Sequence, residues 1–255
     1  MFKQERFLFF ALGLLTFICL EFFFAYRKRN FSRLNRWPAN LLIIFIGTFV
    51  LKLSFPLGLS VVSDFSAQHG LGLLNHVSLP WFLSFAFTII YLDFSIYIQH
   101  VLTHKISWLW RLHRVHHSDV DLDATSALRF HPLEILFSFF YKSLVVILIG
   151  ASIESIIIFE ILLNLTAIFN HSNLFIPKKW EVLLRKIIVT PQMHLVHHSV
   201  HQEYSDMNYG FNFSFWDRIF KTYEKELPKG SLIGNRRFRK SKDQNILELL
   251  KQPLL

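Results

Sequence analysis

Long apolar runs broken by short charged stretches set the pattern of this chain. A helix needs roughly 20 mostly apolar residues to cross the hydrocarbon core of a bilayer, and the first such run covers residues 7–26. It is long for the apolar part of a secretion signal and stops at Tyr26-Arg27-Lys28-Arg29 without a small-residue cleavage site, which predicts a retained anchor. Further runs predict spans at about 41–59 and 79–99. Two shorter ones, about 133–149 and 153–169, flank Gly150 and carry Lys142, Glu154 and Glu160. We read this pair as a full helical hairpin, with a re-entrant hairpin as the alternative. The expected fold is all-α, a multi-pass transmembrane bundle of about five spans.

Loop charges orient the bundle. Arg27, Lys28, Arg29, Arg33 and Arg36 follow the first span, whereas 60–79 holds no Lys or Arg. Lys105, Arg111, Arg114 and Arg129 lie in 100–131, and the chain after His171 is again basic. Alternate threading puts every basic segment on one side, the cytoplasmic side by the positive-inside rule. The N-terminus then lies outside, against the weak pull of Lys3 and Arg6. His69 and His76 fall on the outer side, and the remaining histidines sit at or beyond the cytoplasmic ends of the spans.

Composition agrees with lipid as the solvent: 52% of the 255 residues are apolar and 29 are Phe. A net charge of +9 would suggest nucleic acid in a soluble chain, but here it is accounted for by cytoplasmic loops, and no nucleic-acid partner is expected. Cys19 is the single cysteine, so neither an intramolecular disulfide nor a thiolate cluster can form. Any metal must be held by nitrogen or oxygen, and the 13 histidines point to nitrogen.

Three groups stand out: His100-x-x-x-His104, His113-x-x-His116-His117 and His194-x-x-His197-His198. Helical residues three and four apart share a face, so each group can present its rings together. Neutral imidazole suits iron, zinc, copper and nickel alike. A catalytic zinc site uses three protein ligands and a structural one four, so eight clustered histidines exceed one site and suit two ions. Left neutral and metal-free, the rings would need other partners for their nitrogens. The expected site is a di-metal centre at the cytoplasmic face.

The stretches LDFSIYIQHVLTH, LWRLHRVHHS, RFHPLE, NHSN, TPQMHLVHHS and DMNYGFNFSFWDRIFKTY together resemble the fatty acid hydroxylase and sterol desaturase superfamily of integral membrane non-haem di-iron enzymes. The resemblance begins near Asp93 and covers most of the remaining chain. It implies two iron ions, with zinc as a substitute, held by His100, His104, His113, His116, His117, His194, His197 and His198, and by His171 in the NHSN stretch. It also divides the chain into N-terminal transmembrane helices (1–78), a hydroxylase-like catalytic domain (79–225) and a basic cytoplasmic tail (226–255). Fatty acid 2-hydroxylases carry a further histidine one turn before that position, where this chain has Ala167, and one more residue between the first two histidines. Both departures move the chain towards sterol-oxidase or alkylglycerol-monooxygenase-like branches, or a bacterial-type branch.

The implied activity is O2-dependent hydroxylation or desaturation of a C–H bond in a lipid: a sterol, a fatty acyl chain or an ether lipid. Neither an HPGG haem stretch nor a Gly-rich dinucleotide fingerprint occurs, so electrons are expected from a ferredoxin, a cytochrome or a flavin reductase. Around the ligands, Asp93 lies two helical turns before His100 and could accept a ring N–H or serve helix packing. His131 precedes Pro132 at a helix start as a ligand or a supporting residue, Glu134 could support His131, and His201 stays unassigned beside the third cluster. The aromatic run after Asn208 suits the membrane interface, as anchor or as lining of a lipid-access groove. Two rival readings are a zinc-dependent membrane hydrolase and a non-enzymatic metal-binding or transport protein. The first lacks an HExxH motif; the second would place ionisable groups at mid-membrane.

Overall fold

The computed structural model describes residues 2–56 and 58–255. Four helices come first: α1 (Phe2–Phe23), α2 (Trp37–Ser54), α3 (Leu59–Gln68) and α4 (Trp81–Lys105). A short α5 (Ser107–His113) leads to the hairpin of α6 (Pro132–Ile149) and α7 (Ile153–His171). Five short helices close the chain: α8 (Lys178–Leu184), α9 (Pro191–His197), α10 (Gln202–Ser205), α11 (Phe215–Ile219) and α12 (Ile246–Lys251). Among the described residues no strand forms, only isolated bridges such as Ala25 with Leu174. Among the described residues, five helical segments are long and apolar enough to cross a membrane.

The bundle is built inside out relative to a soluble protein. Phe7, Phe45, Phe49 and Leu53 are all exposed, as expected where lipid replaces water. Polar side chains are instead buried at one end, where α4 and α7 finish and the short helices gather. α4 runs past the expected end at 99 to Lys105, so His100 and His104 ride on its last turns.

The hairpin forms for local reasons. His131 caps α6 by accepting the Leu133 amide, Pro132 occupies the first turn, Gly150 ends the helix in the left-handed region at φ 73°, and Ser152 caps α7. Such a turn suits glycine because a Cβ would be strained there. The segment 60–79, expected as a loop, holds α3, which packs on α6 and α7. Its buried positions are Leu59, Ser63 and Ser66, one face at helical spacing. Two of the three are serines, so the periodicity is invisible to hydropathy. Ser63 Oγ donates to Ala151 O at 2.6 Å, tying the segment to the hairpin turn.

At the polar end a buried ion network locks the layers. Arg36, at the start of α2, binds Asp119 through Nε at 2.6 Å and Asp123 through Nη1 at 2.8 Å, and Arg129 Nη1 reaches Asp119 at 3.2 Å. All four side chains are fully buried, where removing one partner of a charge pair costs about 3–5 kcal/mol. Asp119 is accordingly held well below the usual carboxylate range by Arg36 and Arg129, against the effect of burial. Residues 226–255, expected as a basic tail, are built into this layer. Gln244 is buried and accepts from Arg129 at 2.7 Å, and Leu249 packs with Ala39, Ile43 and Val115.

Candidate metal centre

Nine histidines converge at the polar end of the bundle, and they sort into two groups. His100, His104, His113, His117 and His197 form one; His116, His171, His194 and His198 form the other. Within each group the candidate ligand atoms lie within 4.8 Å of one another and every ring is buried.

The two HxxHH boxes share a spacing but not a backbone. In the third cluster α9 begins at Pro191, capped by Thr190, and carries His194 and His197, with His198 at its end. In the second cluster α5 stops at His113 and His116-His117 lie on a separate 3-10 turn, so the single helix face expected there does not exist. Even so, each box divides in the same way. His113 and His117 take the middle histidine of the other box, His197, while His194 and His198 take His116. The pattern is a pseudo-two-fold exchange. α4 adds His100 and His104 to the larger group, and α7 adds only His171 to the smaller. Ala167, one turn before His171 on α7, occupies the place that symmetry would give to a tenth histidine.

Hydrogen bonds fix which nitrogen His100, His113, His171 and His197 offer. Nδ1 of His100 donates to Tyr209 O at 2.8 Å, that of His197 to Met207 O at 2.9 Å, and that of His171 to Ala167 O at 2.7 Å. His113 Nδ1 donates to Glu134 Oε1 at 2.6 Å, and His104 Nδ1 lies 3.4 Å from Asp206 Oδ1. Each such bond places the proton on Nδ1 and leaves the Nε2 lone pair for a ligand. Nε2 of His100, His113 and His197 is buried and meets no hydrogen-bonding partner among the described residues. Elsewhere Nε2 atoms face one another: His116 and His171 at 2.9 Å, His171 and His194 at 3.1 Å, His194 and His198 at 3.2 Å, His104 and His117 at 3.1 Å. Two nitrogens each about 2.0–2.1 Å from one ion stand about 3 Å apart when the angle between them is near 90°. The residues present therefore fit a pair of metal ions.

Burial first, and neighbouring rings second, hold His117 and His198 well below the usual histidine range; burial pushes His197 down to about 3. Those rings are neutral at physiological pH, the form that ligates metal.

The supporting residues depart from expectation. Asp93 touches no histidine; it accepts from Trp216 Nε1 at 2.8 Å and from the Asn212 and Phe213 amides, pinning the aromatic C-terminal run to α4. That run packs through Phe94 on Trp216 and Phe220. His131 is a helix cap outside both groups: its Nδ1 accepts the Leu133 amide, which leaves the proton of the neutral ring on Nε2. Glu134 supports a ring, though that of His113 rather than His131. His201 is exposed and pairs with Arg236. Sequence reasoning gave no role to Met207 and Tyr209, which act through backbone carbonyls that composition cannot display. Asp217 holds that turn by accepting the Tyr209 and Gly210 amides at 2.7 and 2.9 Å.

The fatty acid hydroxylase family model matches residues 85–222. The chain belongs to the fatty acid hydroxylase family. It is similar to alkylglycerol monooxygenase from Homo sapiens, at 30% identity over 155 residues that make up 59% of this chain and 32% of that protein. Ornithine lipid hydroxylase from Rhizobium tropici is 27% identical over 185 residues, 71% of this chain and 54% of its own. Cholesterol 25-hydroxylase from Homo sapiens is 26% identical over 137 residues, 53% and 49% respectively. The chain thus spans between about a third and about half of these relatives' lengths. No solved structure matches it.

Proposed function

We propose that this chain is a membrane-embedded lipid monooxygenase that uses two iron ions, O2 and external electrons to hydroxylate a C–H bond of a lipid. The observation that carries the reading is the pair of adjoining buried imidazole groups in a chain whose relatives are named lipid hydroxylases and monooxygenases. The larger group would hold one ion and the smaller group the other, with zinc as an alternative occupant. When bound, the irons would supply two-electron reduction of O2 coupled to oxygen insertion, RH + O2 + 2e⁻ + 2H⁺ giving ROH + H2O.

The chain's own residues do the rest. Carbonyls of Tyr209, Met207 and Ala167, with Glu134, orient the rings. Burial of all nine histidines limits the water that reaches the site. Phe211 lies beside His100 and His194 and packs into the apolar clusters between the spans. It marks the apolar side of the site, beside the buried Ala124, Ala127 and Ala167. Glu134 and Asp206 engage ring Nδ1 atoms and so serve as orienting groups rather than as the free base a hydrolase needs. We place the histidine-bearing face towards the cytoplasm, on the strength of its basic loops.

Purified protein should carry two irons per chain, and His117→Ala or His197→Ala should lower that content sharply. Membranes supplied with a reductant should add one oxygen atom to a host lipid in air and none under argon. Metal content indifferent to both substitutions, or full turnover without O2, would overturn the reading.

A further inference from the structure

The first basic segment of the chain sits where α1 leaves the apolar layer. α1 ends at Phe23, and Arg27, Lys28, Arg29 and Arg33 follow. Phe22, Phe24 and Tyr26 are exposed, and Tyr26 stacks on Phe175 with ring centroids 6.5 Å apart. Exposed aromatic rings beside cations mark the boundary between hydrocarbon and lipid head groups. The Arg33 guanidinium lies 3.5 Å from the centroid of the Phe22 ring. A cation is attracted to the face of such a ring, which holds Arg33 at that boundary instead of letting it reach out into water.

These cations are short of acceptors. Nε and Nη2 of both Arg29 and Arg33 are buried and meet no hydrogen-bonding partner among the described residues. The two side chains lie close enough for their charges to repel. Neighbouring carboxylates are engaged elsewhere. Glu21 Oε1 accepts the Ala124 and Asn173 amides at 2.7 and 2.8 Å, and its Oε2 lies 3.9 Å from Arg29 Nη2. Asp123 binds Arg36 at 2.8 Å and Trp37 at 3.0 Å, while Asp121 accepts the Asn30 and Phe31 amides at 2.9 and 2.8 Å. The same segment is clamped to the end of α7. The Tyr26 amide donates to Asn173 O at 2.9 Å, the Phe175 amide to Phe24 O at 2.7 Å, and Asn173 Nδ2 to Arg27 O at 2.8 Å. Asn173 follows the candidate ligand His171 by two residues.

We infer that Arg29 and Arg33, with Arg27 and Lys28 beside them, bind the phosphate of an anionic phospholipid in the leaflet on the histidine-bearing side. Guanidinium forks offer paired N–H donors that match phosphate oxygens, and clustered cations beside a span attract anionic head groups. The acyl chains lie against the exposed apolar face of α1, which continues from Phe22 through Leu15 and Leu12 to Phe7. That face is what selects a phospholipid over free phosphate. A zwitterionic lipid brings an ammonium to the same cations and binds less well. The bound lipid ties the basic segment to α1, and through Asn173 it steadies the end of α7. The site lies outside both histidine groups and is independent of the monooxygenase reading.

The test titrates the full-length chain in neutral detergent with phosphatidylglycerol or phosphatidylcholine of the same acyl chains, and native mass spectrometry reads the bound lipid. Phosphatidylglycerol should be retained in preference to phosphatidylcholine, and excess inorganic phosphate should not displace it. Arg29→Gln with Arg33→Gln should weaken phosphatidylglycerol binding by about tenfold or more, and Arg33→Gln alone by about fivefold. The single variant serves if the double one fails to fold. Lys221→Gln with Lys225→Gln removes two exposed cations from the run that packs on α4 and should change binding less than about twofold. Phosphatidylglycerol should also raise the melting temperature of the wild type, since a ligand of the folded state stabilises it, and leave that of the Arg29 and Arg33 variants nearly unchanged. Equal retention of the two lipids, or binding indifferent to Arg33→Gln, would overturn the inference. Displacement by inorganic phosphate would mark a free-anion site and overturn it too, as would an equal loss in the Lys221 and Lys225 variant, which would leave only a diffuse attraction of the whole basic face.

Discussion

The two histidine groups are built from the same boxes in exchanged roles, yet they are not equals. The larger has five rings, three of them steadied by Nδ1 hydrogen bonds to Tyr209 O, Met207 O and Glu134, and it borders a solvent-open cleft. The smaller has four rings, steadied through Nδ1 only by Ala167 O to His171, and none of its rings lines that cleft. A polar cleft thus reaches the larger group and not the smaller. The difference comes down to which helix supplies the additional ligands. α4 supplies two at i and i+4, whereas α7 supplies one and spends the equivalent turn on Ala167.

The strongest way to break this comparison is to empty each group separately. His104→Ala with His117→Ala should leave one metal per chain, and so should His194→Ala with His198→Ala, as read by elemental analysis. Loss of both metals from either pair would show that the groups do not hold their ions independently. Next in size, Glu134→Ala should weaken retention at the larger group by about 10–100-fold, the usual cost of losing a ring's hydrogen-bonding partner. Competition with a chelator would measure it, and equal loss from both groups would dissolve the distinction.

Ala167→His is the converse experiment, since it offers the smaller group a fifth ring on the same helical face as His171. Slower release of one metal to chelator is expected, and an unaltered time course would remove the pseudo-two-fold argument. The smallest expected effect concerns Asp217. Burial pushes it up to about 6, against hydrogen bonds from Thr222 and the Tyr209 and Gly210 amides. Between its unfolded value near 3.9 and that value the folded chain binds more protons than the unfolded one, so stability should fall as pH rises through about 4 to 6. Melting curves of the wild type and Asp217→Asn across that interval should diverge in slope; parallel curves would exclude the effect.

Much of the site is legible in one dimension. Apolar runs locate the spans, and the spacing of the histidines alone singles out eight rings; family resemblance adds His171. What stays hidden depends on contacts between distant segments. Asp93 reads as a partner for His100 because both lie on one face of α4, but Trp216 and two amides from the C-terminal run claim it. His131 reads as a ligand or a supporting residue because of its company, but its Nδ1 caps its own helix start. The Arg36–Asp119–Arg129 network joins residues on either side of four helices, and no local pattern announces it.

By itself the sequence determined the solvent of each segment and the chemistry of the donors, because hydropathy and imidazole spacing are local properties of the chain. Tertiary structure decided how nine rings divide five to four, that a box with helical spacing ends on a 3-10 turn, and which face opens to water. Those outcomes depend on where α4, α7 and α9 cross. A ligand's partner is chosen by the crossing, whereas its identity is chosen by the codon.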